Sequence, residues 1–294
     1  MKPLGFFAIL LLALFAFSLS GQDLVIDVNL RMLDVSVQDE SGEPVLDLTA
    51  DDFEVIENGQ PRSIKHFSLE TEPVAAGLLV DTSSSIRPVK KNLDRAVREI
   101  LRKLHRDDQA FLITFAGTDK LRVDLTTTHV DILEAIRSAK QGFGTRVYDA
   151  ILNSLRYLST NGVKRKVLIV LTDGADHYSN HSFDQVLQSA AFYAVPIYIL
   201  GYVGDDSRTW SEEGRRDIRD QFEQLARATG GKTFLPEDST DFSSVAKQIL
   251  QTVQYAYRLG FYSSESFTES SDVVVKPRGG GLRRLVIRNS RPIS

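Results

Sequence analysis

From Pro73 to Tyr255 short apolar runs alternate with amphipathic helical stretches. That alternation restricts the chain to a mainly parallel sheet covered by helices on both faces, a doubly wound α/β unit. The strand candidates are Ala75 to Val80, Gln109 to Phe115, Val167 to Thr172, Pro196 to Gly201 and Lys232 to Leu235. Leu121 to Leu125 follows the short turn Gly117 to Lys120 and is expected to pair antiparallel as an edge hairpin. Between the strands, Val89, Leu93, Val97, Ile100, Leu101 and Leu104 recur at helical spacing, as do Ile151, Leu155 and Leu158, and Phe242, Val245, Ile249 and Val253. These stripes face a core and carry no functional assignment. The polar stretch Tyr202 to Arg216 reads as a surface loop beside the sheet's end, ahead of a helix carrying Ile218, Phe222, Leu225 and Ala226.

On either side of this unit the pattern is strand-like. Val28, Leu30 and Met32 alternate, then Val35 and Val37 continue in the opposite phase, which predicts a bulge near Leu33. Ser41-Gly42 with Pro44 marks a turn. Asn58-Gly59, between Phe53 to Ile56 and Ile64 to Leu69, is a hairpin signal. Beyond Tyr255 strand character returns in Tyr257 to Tyr262, Val273 to Val275 and Leu285 to Arg288, with Pro277 to Gly281 as a turn. With 294 residues the chain exceeds what one modest core organises. The expected division is a signal peptide over 1–21, an N-terminal β unit over 22–71, the α/β unit over 73–255, and C-terminal strands over 256–294. The early and late strands can pair into one sandwich-like unit with the α/β unit inserted between them.

Met1 and Lys2 precede an apolar stretch from Leu4 to Phe17, followed by Ser18, Ser20 and Gly21. This is the layout of a secretory signal peptide, with small residues at cleavage-type spacing near Ser20 or Gly21. The apolar run is shorter than the roughly 20 residues of a spanning helix, and no later segment is long enough, so no membrane span is expected once the leader is removed. The expected location is therefore secreted, periplasmic or at a cell envelope. Cysteine is absent, which excludes disulfides, thiolate metal sites and cysteine nucleophiles. A formal charge of -4 lacks the strong positive balance of nucleic-acid binders, so nucleic acid is a poor candidate partner.

The chemistry concentrates in three loops. The first strand of the α/β unit ends in Leu78-Leu79-Val80-Asp81-Thr82-Ser83-Ser84-Ser85, which places Asp81, Ser83 and Ser85 at alternate positions where strand gives way to helix. Alone this D-x-S-x-S run is weak, because serine-rich loops and serine caps are common at helix starts. Gly142-Phe143-Gly144-Thr145 precedes a helix beginning near Val147, and Val170-Leu171-Thr172-Asp173-Gly174 closes the next buried strand. All three loops are expected at one sheet end, where open parallel sheets bind ligands. Asp81, Ser83, Ser85, Thr145 and Asp173 together supply three hydroxyls and two carboxylates. That all-oxygen set suits a hard cation, Mg²⁺, with Mn²⁺ or Ca²⁺ as alternatives, and does not suit zinc's preference for nitrogen and sulfur. Mg²⁺ uses few carboxylates and keeps waters, so Ser83, Ser85 and Thr145 are direct-ligand candidates, while Asp81 and Asp173 act directly or through water.

On these residues the chain resembles a von Willebrand factor A domain, whose metal ion-dependent adhesion site is D-x-S-x-S followed by a distant Thr and Asp. The glycine-containing run before Thr145, the Tyr148-Asp149-Ala150 after it and the Leu171-Thr172-Asp173-Gly174 run are similar to bacterial members. The flanking strands resemble those of secreted, acidobacterial proteins related to this family. The resemblance covers about Pro73 to Tyr255. It implies a non-enzymatic, reversible protein-binding module in which a partner's Asp or Glu completes the coordination of the cation. It also implies that the last helix can shift when ligand binds.

Neighbouring polar residues have plainer readings. Asp149 suits the first turn of its helix through the dipole, and Asp176, His177 and His181 read as solvated loop residues, with a rim role in partner choice as the alternative. Asp205 and Asp206 read likewise. Trp210 fits either a partner contact or a tucked-in loop anchor. Two other functions compete with the adhesion module. A Mg²⁺-dependent hydrolase lacks its parts, since there is no G-x-x-x-x-G-K-[ST], G-x-S-x-G or H-E-x-x-H, and Ser83 stands where a second acid would be wanted. A cell-envelope structural or assembly protein would bind through its β strands.

Overall fold

The computed structural model describes residues 29–39, 43–174, 176–193, 195–202, 211–235, 242–263, 273–278, 284–287 and 291–292. The expected signal peptide, the Ser41-Gly42 turn, Asp205, Asp206 and Trp210 lie outside them. Among the described residues no helix is long and apolar enough to cross a membrane.

The described residues begin with four strands, β1 (Asn29–Gln38), β2 (Phe53–Glu57), β3 (Gln60–Arg62) and β4 (Ile64–Glu70). The α/β unit follows as β5 (Val74–Asp81), α1 (Lys90–Lys103), β6 (Gln109–Phe115), β7 (Asp119–Thr126), α2 (His129–Arg137), α3 (Val147–Thr160), β8 (Arg165–Thr172), α4 (Phe183–Tyr193), β9 (Ile197–Gly201), α5 (Glu212–Thr229), β10 (Lys232–Phe234) and α6 (Phe242–Gln254). Its six strands are ordered β10-β9-β8-β5-β6-β7, all parallel except the edge pair β6–β7. Every residue of β5 is buried, as befits a central strand covered on both sides. Alternate residues feed two cores. Ala76, Leu78, Val167 and Ile169 meet Val97, Ile132 and Ile249 on one face, while Ala75, Leu79, Leu168 and Val170 meet Leu155, Val186 and Phe222 on the other. The result is the mostly parallel α/β architecture expected from the alternating pattern.

Helices α2 and α4 went unread in the sequence. Each buries only two apolar residues, Ile132 and Ile136 in one and Val186 and Ala190 in the other, which is too few to make a period visible.

The remaining strands are β11 (Ala256–Ser263), β12 (Val273–Pro277), β13 (Arg284–Ile287) and β14 (Arg291–Pro292). β11 runs antiparallel between β1 and β4, β13 and β14 pair with β1, and β12-β2-β3 form a separate small sheet. Leu33, Val35, Val37, Phe53, Val55, Tyr257, Leu259, Phe261 and Val275 fill the core that these two sheets share. Chain from both ends therefore builds one β unit around the α/β unit.

Two expectations are corrected here. No bulge occurs near Leu33: β1 pairs with β11 without a break from Asn29 to Val35. Leu33, Val35 and Val37 face the core in one uninterrupted phase, while Leu30 and Met32 pack half-buried on the opposite side. The Asn58-Gly59 turn, with φ of 49° and 78°, does close a hairpin, but its second strand is β3. Past Ser63 the chain crosses into the other sheet, where β4 pairs with β11. Glu57 closes this unit from within. It is fully buried, 3.5 Å from Arg31 and 2.9 Å from Arg62, and it accepts a 2.5 Å hydrogen bond from Ser263 Oγ.

The two units meet at the end of α6, from which β11 is separated by Tyr255 alone. Ser36 Oγ donates to the carbonyls of Thr252 (2.6 Å) and Tyr255 (2.9 Å). Gln254 Nε2 donates to Lys103 O at 2.8 Å and to Asp108 Oδ2 at 3.3 Å. Asp108 in turn holds the amides of Val74 and His105, each at 2.8 Å.

Candidate metal centre

β5 lies between β6 and β8, and the chain leaves these neighbours in opposite directions across the sheet, so a crevice opens at the carboxyl ends of β5 and β8. Asp81 is the last residue of β5 and only 2% exposed. Its Oδ1 accepts from the amide of Ser83 at 2.7 Å, the local turn that a short carboxylate makes two residues on. Its Oδ2 accepts from Thr172 Oγ1, also at 2.7 Å. Ser83 Oγ and Ser85 Oγ are 2.9 Å apart, and Ser85 Oγ donates to Asp173 Oδ1 at 3.2 Å. Asp81, Ser83, Ser85 and Asp173 thus form one hydrogen-bonded cluster, buried at Asp81 and Ser83 and opening to solvent at Ser85.

Thr145 reaches the same edge through the backbone. Ser83 bridges to Gly142 in parallel fashion, and Gly142 N donates to Thr82 O at 2.9 Å. Beyond Thr145, Arg146 N donates to Ala116 O at 2.9 Å. The Thr145 carbonyl accepts from the amides of His177 (3.0 Å) and Tyr178 (3.2 Å), which ties its loop to the segment after Asp173. Gly144 makes this possible with a φ of 82°, and a Cβ there would lie 2.8 Å from the Tyr178 ring. The Thr145 side chain is buried, and its hydroxyl takes part in no hydrogen bond with the described residues.

The electrostatics are those of a site short of positive charge. Burial pushes the Asp81 carboxyl above its ordinary range. Burial, reinforced by the charge of Asp81, pushes Asp173 up to about 7. Among the described residues no Lys, Arg or His pairs with either carboxylate. Two carboxylates, three hydroxyls and a missing counter-charge fit a hard divalent cation with oxygen ligands.

Asp149 does more than complement a helix dipole. It is buried, accepts from His181 Nδ1 at 2.6 Å and from the amides of Asn180 and His181, and sits 3.3 Å from Arg146. Burial alone would raise its carboxyl, but the hydrogen bonds from His181 and Asn180 and the charge of Arg146 hold it below the ordinary range. Asp176 is likewise tied down rather than solvated, accepting from Tyr148 N at 3.2 Å and from the amide of Ser179 at 3.0 Å. These residues clamp the segment 176–181 against the start of α3. Thr172, which orients Asp81, was also missed. The Asp176-x-x-Ser179 spacing is a turn pattern from which the clamp could have been read. An Asp149→Ala variant is expected to lose about 1–3 kcal/mol of stability and to weaken cation affinity about tenfold. Urea unfolding and a metal titration check the two effects separately.

Residues 77–175 match the family model of the von Willebrand factor type A domain, a span that includes all five site residues. Among solved structures, a von Willebrand factor type A protein from Catenulispora acidiphila has the same fold with 12% identity and a TM-score of 0.54, over 82% of this chain and 72% of that one. The proximal thread matrix protein 1 of the mussel byssus, solved with a zinc-occupied MIDAS motif, has 17% identity and a TM-score of 0.53, over 65% of this chain and 49% of that one. No curated protein matches the chain. The match covers about a third of the chain, and it falls on the central part of the mostly parallel α/β unit described above.

Proposed function

We propose that the protein is an exported, non-catalytic adhesion-type module that binds a partner protein through a divalent cation held by Asp81, Ser83, Ser85, Thr145 and Asp173. The observation that carries this reading is the convergence at one sheet edge of two carboxylates that no Lys, Arg or His of the described residues pairs with, and of serine hydroxyls bonded to each other and to Asp173. Ser83, Ser85 and Thr145 would ligate the ion, and Asp81 and Asp173 would balance its charge directly or through water. An ion held with so few carboxylates would remain electrophilic, so that an Asp or Glu side chain of the partner would complete the site. Ser85 stands at the solvent-facing side of the cluster, and the clamp on 176–181 would keep Thr145 in place beside it. Mg²⁺ fits the all-oxygen set best, and Mn²⁺ or Ca²⁺ follow. The zinc in the mussel protein's motif makes that ion a necessary competitor in any test. Export rests on the leader-like residues 1–21.

Calorimetric titration of chelator-stripped protein with Mg²⁺, Mn²⁺, Ca²⁺ and Zn²⁺ tests the site. One saturable site that disappears in Asp173→Ala is expected, and silence with every ion removes the reading. An envelope assembly role has one observation in its favour, the continuous passage of α6 into the β unit. Partner binding that survives chelation would favour that role instead.

A further inference from the structure

Beside the candidate centre lies an open cleft of about 370 Å³ lined by Gly117, Phe143, Gly144, Arg146 and Tyr178. Two features set it apart from ordinary surface. Phe143 is 80% exposed and Tyr178 53%, yet the loops that carry them are held firmly. The Phe143 carbonyl lies so close to Gly117 that a Cβ there would come within 2.5 Å of it, and Gly144 packs on the Tyr178 ring. Arg146 Nε donates to the Tyr178 carbonyl at 2.7 Å. The two rings, with centroids 6.3 Å apart, are thus presented to solvent by a rigid frame. A preorganised aromatic pair of this kind is what binding hot spots use, because little side-chain freedom is lost on contact.

The loops that line the cleft adjoin the loop of Thr145. Phe143 stands two residues before Thr145, and Tyr178 donates its amide to the Thr145 carbonyl. A ligand's extended backbone advances roughly 3.5 Å per residue, so a side chain one or two positions from an acidic residue at the centre reaches the cleft. Charge selects among side chains. Arg146 lines the cleft, Lys140 is exposed three residues before Phe143, and the exposed Arg87 donates from Nε to Gln141 Oε1 at 3.2 Å. Asp176 is already held by Tyr148 N and the Ser179 amide. A basic neighbour in the ligand would meet cations here, whereas an apolar one would meet two rings.

We infer that Phe143 and Tyr178 form a specificity pocket that receives an aromatic or bulky aliphatic side chain lying within two residues of the partner's Asp or Glu. This rests on the proposed function, of which it names the partner's chemistry. The test is an array of immobilised peptides of the form Gly-X-Asp-X-Gly, with X as Phe, Leu, Gly, Lys or Glu, probed with the full-length protein in Mg²⁺ and in chelator. Phe and Leu peptides are expected to bind about tenfold tighter than Gly and Lys peptides. Phe143→Ser should abolish that preference while leaving the calorimetric Mg²⁺ titration unchanged. The exposed Phe143 can be replaced without touching the core, so its variant reads the pocket rather than the fold. Mg²⁺-dependent capture without side-chain preference, a preference for Lys or Glu, or a preference that survives Phe143→Ser overturns the pocket and leaves the cation site standing. Absence of any Mg²⁺-dependent capture, with metal still bound, overturns the adhesion reading and the pocket with it.

Discussion

Mg²⁺ added to chelator-stripped protein at a hundredfold excess over its Kd is expected to stabilise the native state by about 2.7 kcal/mol at pH 8. For a chain of this size that raises the unfolding midpoint by about 5–10 °C. At pH 5 the same addition should do little. The reason is the pair of crowded carboxylates. Burial and the charge of Asp81 push the Asp173 carboxyl up to about 7, and burial shifts Asp81 in the same direction, against an ordinary value of 3.8. A folded pKa above the unfolded one adds stability that is fully present below about pH 4 and is lost as pH rises through about 7. Over that interval the metal-free protein should therefore lose stability, as two negative charges are forced to share a buried crevice. A cation requires those charges and neutralises them, so the metal-bound protein should not show the loss. Thermal melts at pH 5, 6, 7 and 8, with and without Mg²⁺, check this directly. In Asp173→Ala the gap between the two curves should close at every pH, with cation affinity reduced at least about a hundredfold. A constant Mg²⁺ effect across the range would show that these carboxylates are not where the ion acts.

Arg165→Met should be the most damaging single change outside the centre, costing about 3–5 kcal/mol. Arg165 opens β8, but its guanidinium is buried beneath the end of α6. Nη2 donates to Val253 O at 2.6 Å, both terminal nitrogens approach Gln254 O at 3.3 Å, and Nη1 donates to Glu72 O at 2.9 Å. Those carbonyls belong to the last turn of α6 and to the crossing from β4 into β5. A cation there also suits the negative end of the helix. Methionine fills part of the volume and satisfies none of the carbonyls, leaving several buried acceptors unpaired. Arg165→Lys should recover only part of the loss, because a point charge cannot serve the fork of acceptors. Urea unfolding of the three proteins measures the series, and a loss under about 1 kcal/mol in Arg165→Met would remove this account of the seam.

Both predictions concern contacts of very different visibility in the sequence. The D-x-S-x-S run, Thr145 and Asp173 could be gathered because each sits at the end of a recognisable apolar strand, and strand ends in a parallel sheet share an edge. Arg165 carries no such mark. It reads as an ordinary basic residue before a buried run, and its partners lie more than 85 positions away.

Local pattern determined the α/β class, most of its helices and the membership of the oxygen-rich edge, because burial on one or two faces imposes a period that each residue obeys on its own. Tertiary structure decided the rest. Leu30 and Met32 versus Leu33 and Val35 is a choice of face that depends on which sheet lies opposite. The partner of β2 across Asn58-Gly59 depends on where the chain turns from one sheet to the other at Ser63. The roles of Asp149, Thr172, Asp176 and His181 depend on loops that meet only once the sheet has brought them together. Periodicity records whether a residue is buried, whereas register, pairing and hydrogen-bond partners record what it is buried against, and only the folded chain supplies that.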